Sequence, residues 1–291
     1  MINFEKWQAL GNDYLILERD ELPFELTPAR IRRLCQGHFG VFADGVLLLA
    51  PPADPGHVAD LRIFNPDGSE AELSGNGARE AILYLRRRGW TELDSFTINT
   101  AAGEIRPRIT GIDTCVVDMG AATLSSPDFP DGPPDGRGEI AAAGRSWSFR
   151  HVSIGNPQCA IRVASEAELD ALELGEIGPP IESAAVFPNR TNVSWYTPLA
   201  DDPAGRIRAR IFERGVGETL SSGTGATGAA VAYLLEQPSA GGARTVTVSL
   251  DGGELEVEVG EELGVNLTGW ARPVFEGRLS EAFEKELHET E

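Results

Sequence analysis

One short pattern occurs twice in this chain, and the repeat limits its fold more than any other feature. Ser74-Gly-Asn-Gly-Ala78 leads into a helical segment, Arg79 to Arg88, and Ser222-Gly-Thr-Gly-Ala226 leads into another, Thr227 to Glu236. Each segment holds a Tyr-Leu pair, Tyr84-Leu85 and Tyr233-Leu234, at nearly equal distance from its serine. Acidic residues precede both turns, Glu70 and Glu72 before one, Glu213 and Glu218 before the other. Two homologous halves follow from this, each bringing one turn to a shared cleft.

Short apolar runs bounded by Gly, Pro and Asp surround the turns, as in a sheet protein. Tyr14–Leu17, Val46–Leu49, Leu61–Phe64, Ser95–Asn99, Glu104–Thr110 and Thr114–Met119 read as strands of the first half. Trp147–Ser153, Cys159–Val163, Thr191–Tyr196, Arg206–Phe212, Val246–Leu250, Leu255–Val259 and Leu263–Thr268 read as those of the second. Thr27 caps a helix whose first residue is Pro28, reaching Cys35. The Pro-, Gly-, Ser- and Asp-rich stretch Ser125–Gly138 is the linker candidate, and Leu279–Glu291 reads as an exposed acidic helix. A length of 291 residues suits two domains. The expected fold is α+β, two pseudo-symmetric domains, each a mixed, mostly antiparallel sheet around a central helix.

Composition narrows the function. A formal charge of −20 argues against nucleic acid as a partner, because phosphate backbones need basic surface to replace their counterions. Lys6 and Lys285 are the only lysines, one near the amino end and one in the acidic tail, which leaves no candidate for a pyridoxal Schiff base. Cys35, Cys115 and Cys159 lack C-x-x-C spacing, and His38, His57, His151 and His288 form no ligand pair, so neither metal nor disulfide framework is expected. Met1-Ile-Asn-Phe-Glu-Lys6 lacks the flanks of a signal peptide, and no apolar run approaches the roughly 18 residues of a membrane span. The expectation is a cytoplasmic protein without membrane contact.

A Ser/Gly turn opening a helix offers unpaired N–H groups and the positive end of the helix dipole to an anion. Either copy alone is also what an ordinary capped turn looks like. Neither has the Lys-Ser/Thr ending of a P-loop, and two together suit the carboxylate and reacting centre of an amino acid.

Ala9-Leu-Gly-Asn-Asp-Tyr14, Gly40-Val-Phe-Ala-Asp-Gly45, Phe64-Asn-Pro-Asp-Gly-Ser-Glu70, Ser74-Gly-Asn-Gly-Ala-Arg79, Gly155-Asn-Pro157, Arg190-Thr-Asn192 and Glu213-Arg-Gly-Val-Gly-Glu-Thr219 occur in this order, and the chain resembles the diaminopimelate epimerases along nearly its whole length. The resemblance implies a cofactor-independent epimerase, expected as a homodimer, that inverts the α-carbon of diaminopimelate. It also implies a return of the chain to the first domain, giving domains of 1–120 with 269–291 and of 121–268. By matching positions, Asn12, Asn65, Asn76, Asn156, Asn192, Glu213 and Arg214 would hold the amino-acid groups, and the amides of Gly75, Asn76, Gly223 and Thr224 the α-carboxylate.

In that family each turn carries a cysteine, one acting as thiolate base and the other as thiol acid on opposite faces of the substrate. Here both positions are serine, Ser74 and Ser222, and the family's Gly-Asn-Pro-His is Gly155-Asn-Pro-Gln158. The proton-transfer candidates become Ser74, Ser222 and Glu213, with Glu213 placed to activate Ser222. Three readings stay open: a serine-based epimerase, a proline-type racemase or dehydratase of the same superfamily, and a non-catalytic amino-acid-binding homologue.

Overall fold

The structure, a computed structural model, describes residues 1–199, 205–238 and 241–290. The chain forms two compact units, Met1–Val117 with Gly269–Glu291, and Asp118–Thr268. The first contains β1 (Asn3–Ala9), β2 (Asn12–Glu18), α1 (Pro28–Cys35), β3 (Val46–Ala50), β4 (Asp60–Phe64), β5 (Glu70–Ala71), α2 (Gly75–Arg87), β6 (Ile98–Thr100), β7 (Gly103–Ile105) and β8 (Pro107–Ile109). Strand β9 (Thr114–Ala121) carries the chain onward. The second holds β10 (Arg137–Ala142), β11 (Arg145–Ser153), β12 (Pro157–Arg162), α3 (Glu166–Asp170), α4 (Leu174–Glu182), β13 (Asn192–Pro198), β14 (Arg206–Glu213), β15 (Gly217–Thr219), α5 (Gly223–Leu234), β16 (Arg244–Leu250) and β17 (Gly253–Val259). After β18 (Gly264–Trp270) the chain adds β19 (Arg272–Arg278) and α6 (Glu281–Glu289) to the first unit.

In the first unit the strands run in the order β19-β1-β2-β3-β4-β6-β7, with β5 beside β4. The central pair β2 and β3 is parallel, and Val46-Leu-Leu-Leu49 is buried on both faces, as parallel strands covered by helices require. Leu15, Leu17, Val46 and Leu48 pack with Ile31 and Leu34 of α1 and with Leu287 of α6. Helix α2 packs on β1, β2 and β3. The acidic terminal helix is thus exposed on one face only, and burying Leu287 contributes about 2 kcal/mol. Glu291 lies outside the described residues.

The second unit orders its strands β10-β11-β12-β13-β14-β16-β17-β18, with β15 beside β14. Only β12–β13 and β14–β16 run parallel among these pairs. Helix α5 packs on β11 to β14, β16 and β17, so Ala226, Ala229, Ala230, Val231 and Ala232 are wholly buried. Its glycines permit that approach: a Cβ on Gly225 would stand 2.7 Å from Cδ1 of Ile211, and one on Gly228 the same distance from Cβ of Gln158.

Two sequence expectations change. The run Glu104–Thr110 is two strands, because β7 pairs with β6 while β8, opened by Pro107 with no N–H to donate, pairs with β9. Ser125–Gly138 lies inside the second unit, where Phe129 packs on Phe149 and Phe187. Helix α4, with Pro179 and Pro180 inside it, lies in a stretch to which the sequence assigns no element. No helix among the described residues is long and apolar enough to cross a membrane.

Candidate functional site

Each serine is a helix N-cap. Ser74 is extended (φ −128°, ψ 121°) and its Oγ accepts the N–H of Gly77 at 3.1 Å. Ser222 (φ −144°, ψ 123°) accepts the N–H of Gly225 at 3.3 Å. The helices therefore begin at Gly75 and Gly223, four residues before the helical segments expected from sequence. Helix geometry gives the first-turn amides of Gly75, Asn76, Gly223 and Thr224 no carbonyl within the helix, which makes each terminus a receptor for a negative group.

In the first unit Tyr14, on β2, donates its phenolic O–H to Ser74 Oγ at 3.2 Å. Asn76 is buried and donates Nδ2–H to Asn12 Oδ1 at 3.3 Å. Asn12 in turn donates to Asp44 Oδ2 at 2.9 Å. Arg79 is fully buried beneath the turn; its Nη1 donates to the Gly75 carbonyl at 2.9 Å and its Nη2 to Asn76 Oδ1. Burial draws the Arg79 guanidinium below its ordinary pKa. Asn65 stands apart from this network: its side chain donates to Ser69 Oγ at 2.9 Å and closes its own turn.

The second unit pairs its serine with a carboxylate. Ser222 donates to Glu213 Oε2 at 2.9 Å, and Thr219 donates to Glu213 Oε1 at 2.9 Å. Burial pushes the Glu213 carboxyl above its ordinary value, while the two hydroxyl donors pull it back in part. Asn156 donates to Thr224 Oγ1 at 3.3 Å and accepts from Gln158 Nε2 at 2.7 Å. Asn192 donates to the Pro157 carbonyl at 3.0 Å and accepts the Arg214 N–H at 2.9 Å, tying the Gly155–Pro157 turn to the end of β14. The exposed Arg214 directs Nη1 at the Asn189 carbonyl, 2.9 Å away. Buried Glu182 accepts the N–H of Gly215 (φ 78°) at 2.7 Å and fixes the turn after Glu213.

Sequence reasoning singled out neither Tyr14, Arg79, Thr219 nor Glu182 as site residues. Arg79 and Thr219 sit within quoted motifs a few residues from a candidate serine, where a guanidinium or a hydroxyl is a usable signal, whereas Tyr14 lies in a motif 60 residues from Ser74. Glu182 is 33 residues from Gly215 and carries no local sign. The three cysteines are buried, and burial raises Cys35 and Cys115 to about 12 and Cys159 well above its ordinary value, so none supplies a thiolate near neutrality.

The arrangement offers two hydroxyls at helix N-termini, one backed by a phenol and one by a carboxylate. The family model described as diaminopimelate epimerase matches residues 4–125 and 150–272. The diaminopimelate epimerase of Desulforudis audaxviator is 41% identical over 288 residues, 95% of this chain and 99% of that protein. A Synechococcus diaminopimelate epimerase is 38% identical, covering 95% and 97%. Among solved structures, a PhzF-family phenazine biosynthesis protein of Bacillus anthracis superposes with TM-score 0.71 at 20% identity, covering 96% and 99%. A probable proline racemase of Agrobacterium radiobacter gives 0.70 at 15%, covering 97% and 93%. The last two likenesses are of fold.

Proposed function

Because the chain belongs to the diaminopimelate epimerase family, we propose that it interconverts LL- and meso-diaminopimelate, without a cofactor, on the route to lysine and peptidoglycan precursors. The observation that carries this reading is the bond from Ser222 to Glu213 at 2.9 Å. It gives an alcohol the adjacent base it needs to act as a proton acceptor. Inversion at an α-carbon requires a proton taken from one face and another delivered to the opposite face. Ser222 with Glu213 supplies one group, and Ser74 the other.

The amides of Gly75, Asn76, Gly223 and Thr224 would hold the α-carboxylate, whose charge suits the helix termini. Asn12, Asn65, Asn156, Asn192 and Arg214 would orient the amino-acid groups, directly or through the turns they brace. A cytoplasmic homodimer belongs to the same reading. Edge strand β19 carries Val274 and Phe275, 54% and 44% exposed, and such an edge is covered by pairing in many proteins. Sedimentation would give twice the chain mass.

Chiral chromatography of LL-diaminopimelate incubated with the purified protein tests the activity. The meso isomer should accumulate toward equilibrium; its absence at high protein concentration overturns the reading. A second reading, an amino-acid-binding protein without turnover, draws on Gln158. This wholly buried residue stands where the family has histidine and spends its Nε2–H on Asn156. Saturable calorimetric binding with no isomerisation would favour it.

A further inference from the structure

The two serines have opposite hydrogen-bond polarity. A hydroxyl carries one proton to donate and two lone pairs to accept with. Ser222 Oγ spends its proton on Glu213 Oε2 at 2.9 Å and accepts one bond, from Gly225 N–H at 3.3 Å, leaving a lone pair. Ser74 Oγ accepts two bonds, from Gly77 N–H at 3.1 Å and from Tyr14 O–H at 3.2 Å, leaving its proton. The first is arranged as a base and the second as an acid.

We propose that Tyr14 completes the Ser74 side of the reaction as its proton source, making Ser74–Tyr14 the acid that answers the Ser222–Glu213 base. Tyr14 acts through Ser74, so it is a positioning residue rather than one that touches substrate, and its role rests on the epimerase reading. In one direction Ser222 Oγ takes the α-proton and passes its own to Glu213; the C–H electron pair stays on the α-carbon. Ser74 then gives its proton to the other face, a new C–H bond forms, and Ser74 Oγ takes the phenolic proton of Tyr14. Glu213 is left protonated and Tyr14 a phenolate, and exchange with water restores both. The reverse direction runs the same steps backward. A phenol suits this position because its ordinary pKa, about 10, lies far below that of an alkanol, so charge left by Ser74 has somewhere to go.

The ring is held for this task. Tyr14 is buried, and it lies against Gly45, where a Cβ would stand 2.6 Å from ring atom Cε1. Main-chain bonds from Leu15 N–H to the Gly45 carbonyl and from Asp44 N–H to the Asp13 carbonyl, each 3.0 Å, fix the strand beneath it. The phenol therefore reaches Ser74 from a seat with little freedom of its own.

The test is Tyr14→Phe, which keeps the ring and removes the hydroxyl, read by proton NMR in deuterated water with LL- and meso-diaminopimelate separately. Inversion should fall about a hundredfold in both directions, the usual scale of a lost acid–base group. α-Proton exchange should survive for the isomer whose proton Ser222 takes, because the intermediate is stranded and reprotonated from the same side. It should fall with inversion for the other isomer. A merely structural Tyr14 would lower exchange and inversion together for both isomers, and that result overturns the proposal. In a Ser74→Cys background, where a thiol replaces the alcohol, the penalty of Tyr14→Phe should shrink at least tenfold; an undiminished penalty also overturns it. Absence of turnover in the unaltered protein would instead refute the epimerase reading and this inference with it.

Discussion

Replacing Glu213 with Gln separates chemistry from stability, because the two should move in opposite directions. Glu213 accepts hydroxyl protons from Ser222 and Thr219, each at 2.9 Å. Gln fills the same space and keeps one acceptor oxygen, yet cannot take the Ser222 proton. The loss of such a base lowers the rate by about a hundred- to ten-thousandfold, equivalent to about 3–5 kcal/mol of transition-state stabilisation.

The stability effect follows from the raised carboxyl. Burial lifts the folded-state pKa of Glu213 above its ordinary 4.5. Between that value and the folded one, the unfolded chain has released its proton while the folded chain holds it, so stability falls as pH rises through this window. Gln carries no such penalty. The variant should gain stability relative to the unaltered protein as pH rises above 4.5, levelling off beyond the folded pKa. Initial rates of LL-to-meso conversion and thermal melts across pH 4–8 check both halves. A rate within tenfold of the original, or a melting temperature that drops relative to it as pH rises, would refute the reasoning.

Other outcomes follow from the same structure. Ser222→Cys and Ser74→Cys should each raise the rate of conversion, since a thiol of ordinary pKa about 8.5 is far easier to ionise than an alcohol; initial rates across pH 6–9 measure it. Glu80, wholly buried on α2, is raised well above 4.5 by burial, against the opposing pull of Arg79. Glu80→Gln should therefore gain relative stability as pH climbs above 4.5, read by denaturant midpoints at several pH values. With 45 acidic and 25 basic residues, mutual repulsion opposes the compact state. The melting temperature should rise with sodium chloride between 0.01 and 1 M, as the screening length shortens from about 30 to about 3 Å.

The repeat made two similar halves legible, and the ordered motifs from Ala9–Tyr14 to Glu213–Thr219 made the family and its α+β fold legible. Helix starts were placed late because Gly75–Gly77 and Gly223–Gly225 read as turn, whereas the serine caps make them the first helical residues. Helix α4 was hidden by Pro179 and Pro180, and its place is set by tertiary contacts of Leu174 and Ile181 in the core of the second unit. The Ser222–Glu213 pair could be proposed because nine residues separate the partners within recognisable motifs. Tyr14 and Ser74 are 60 residues apart, and nothing in the spacing announces that a strand and a helix start bring them together.

Deuterium distribution at the first turnovers tests the two-group chemistry most directly. LL-diaminopimelate incubated with the unaltered protein in deuterated water should yield meso product carrying deuterium at the inverted carbon, while unreacted substrate keeps its protium. Deuterium entering unreacted substrate as fast as product forms would point to one exchanging base and contradict the assignment of a separate proton-transferring serine to each unit.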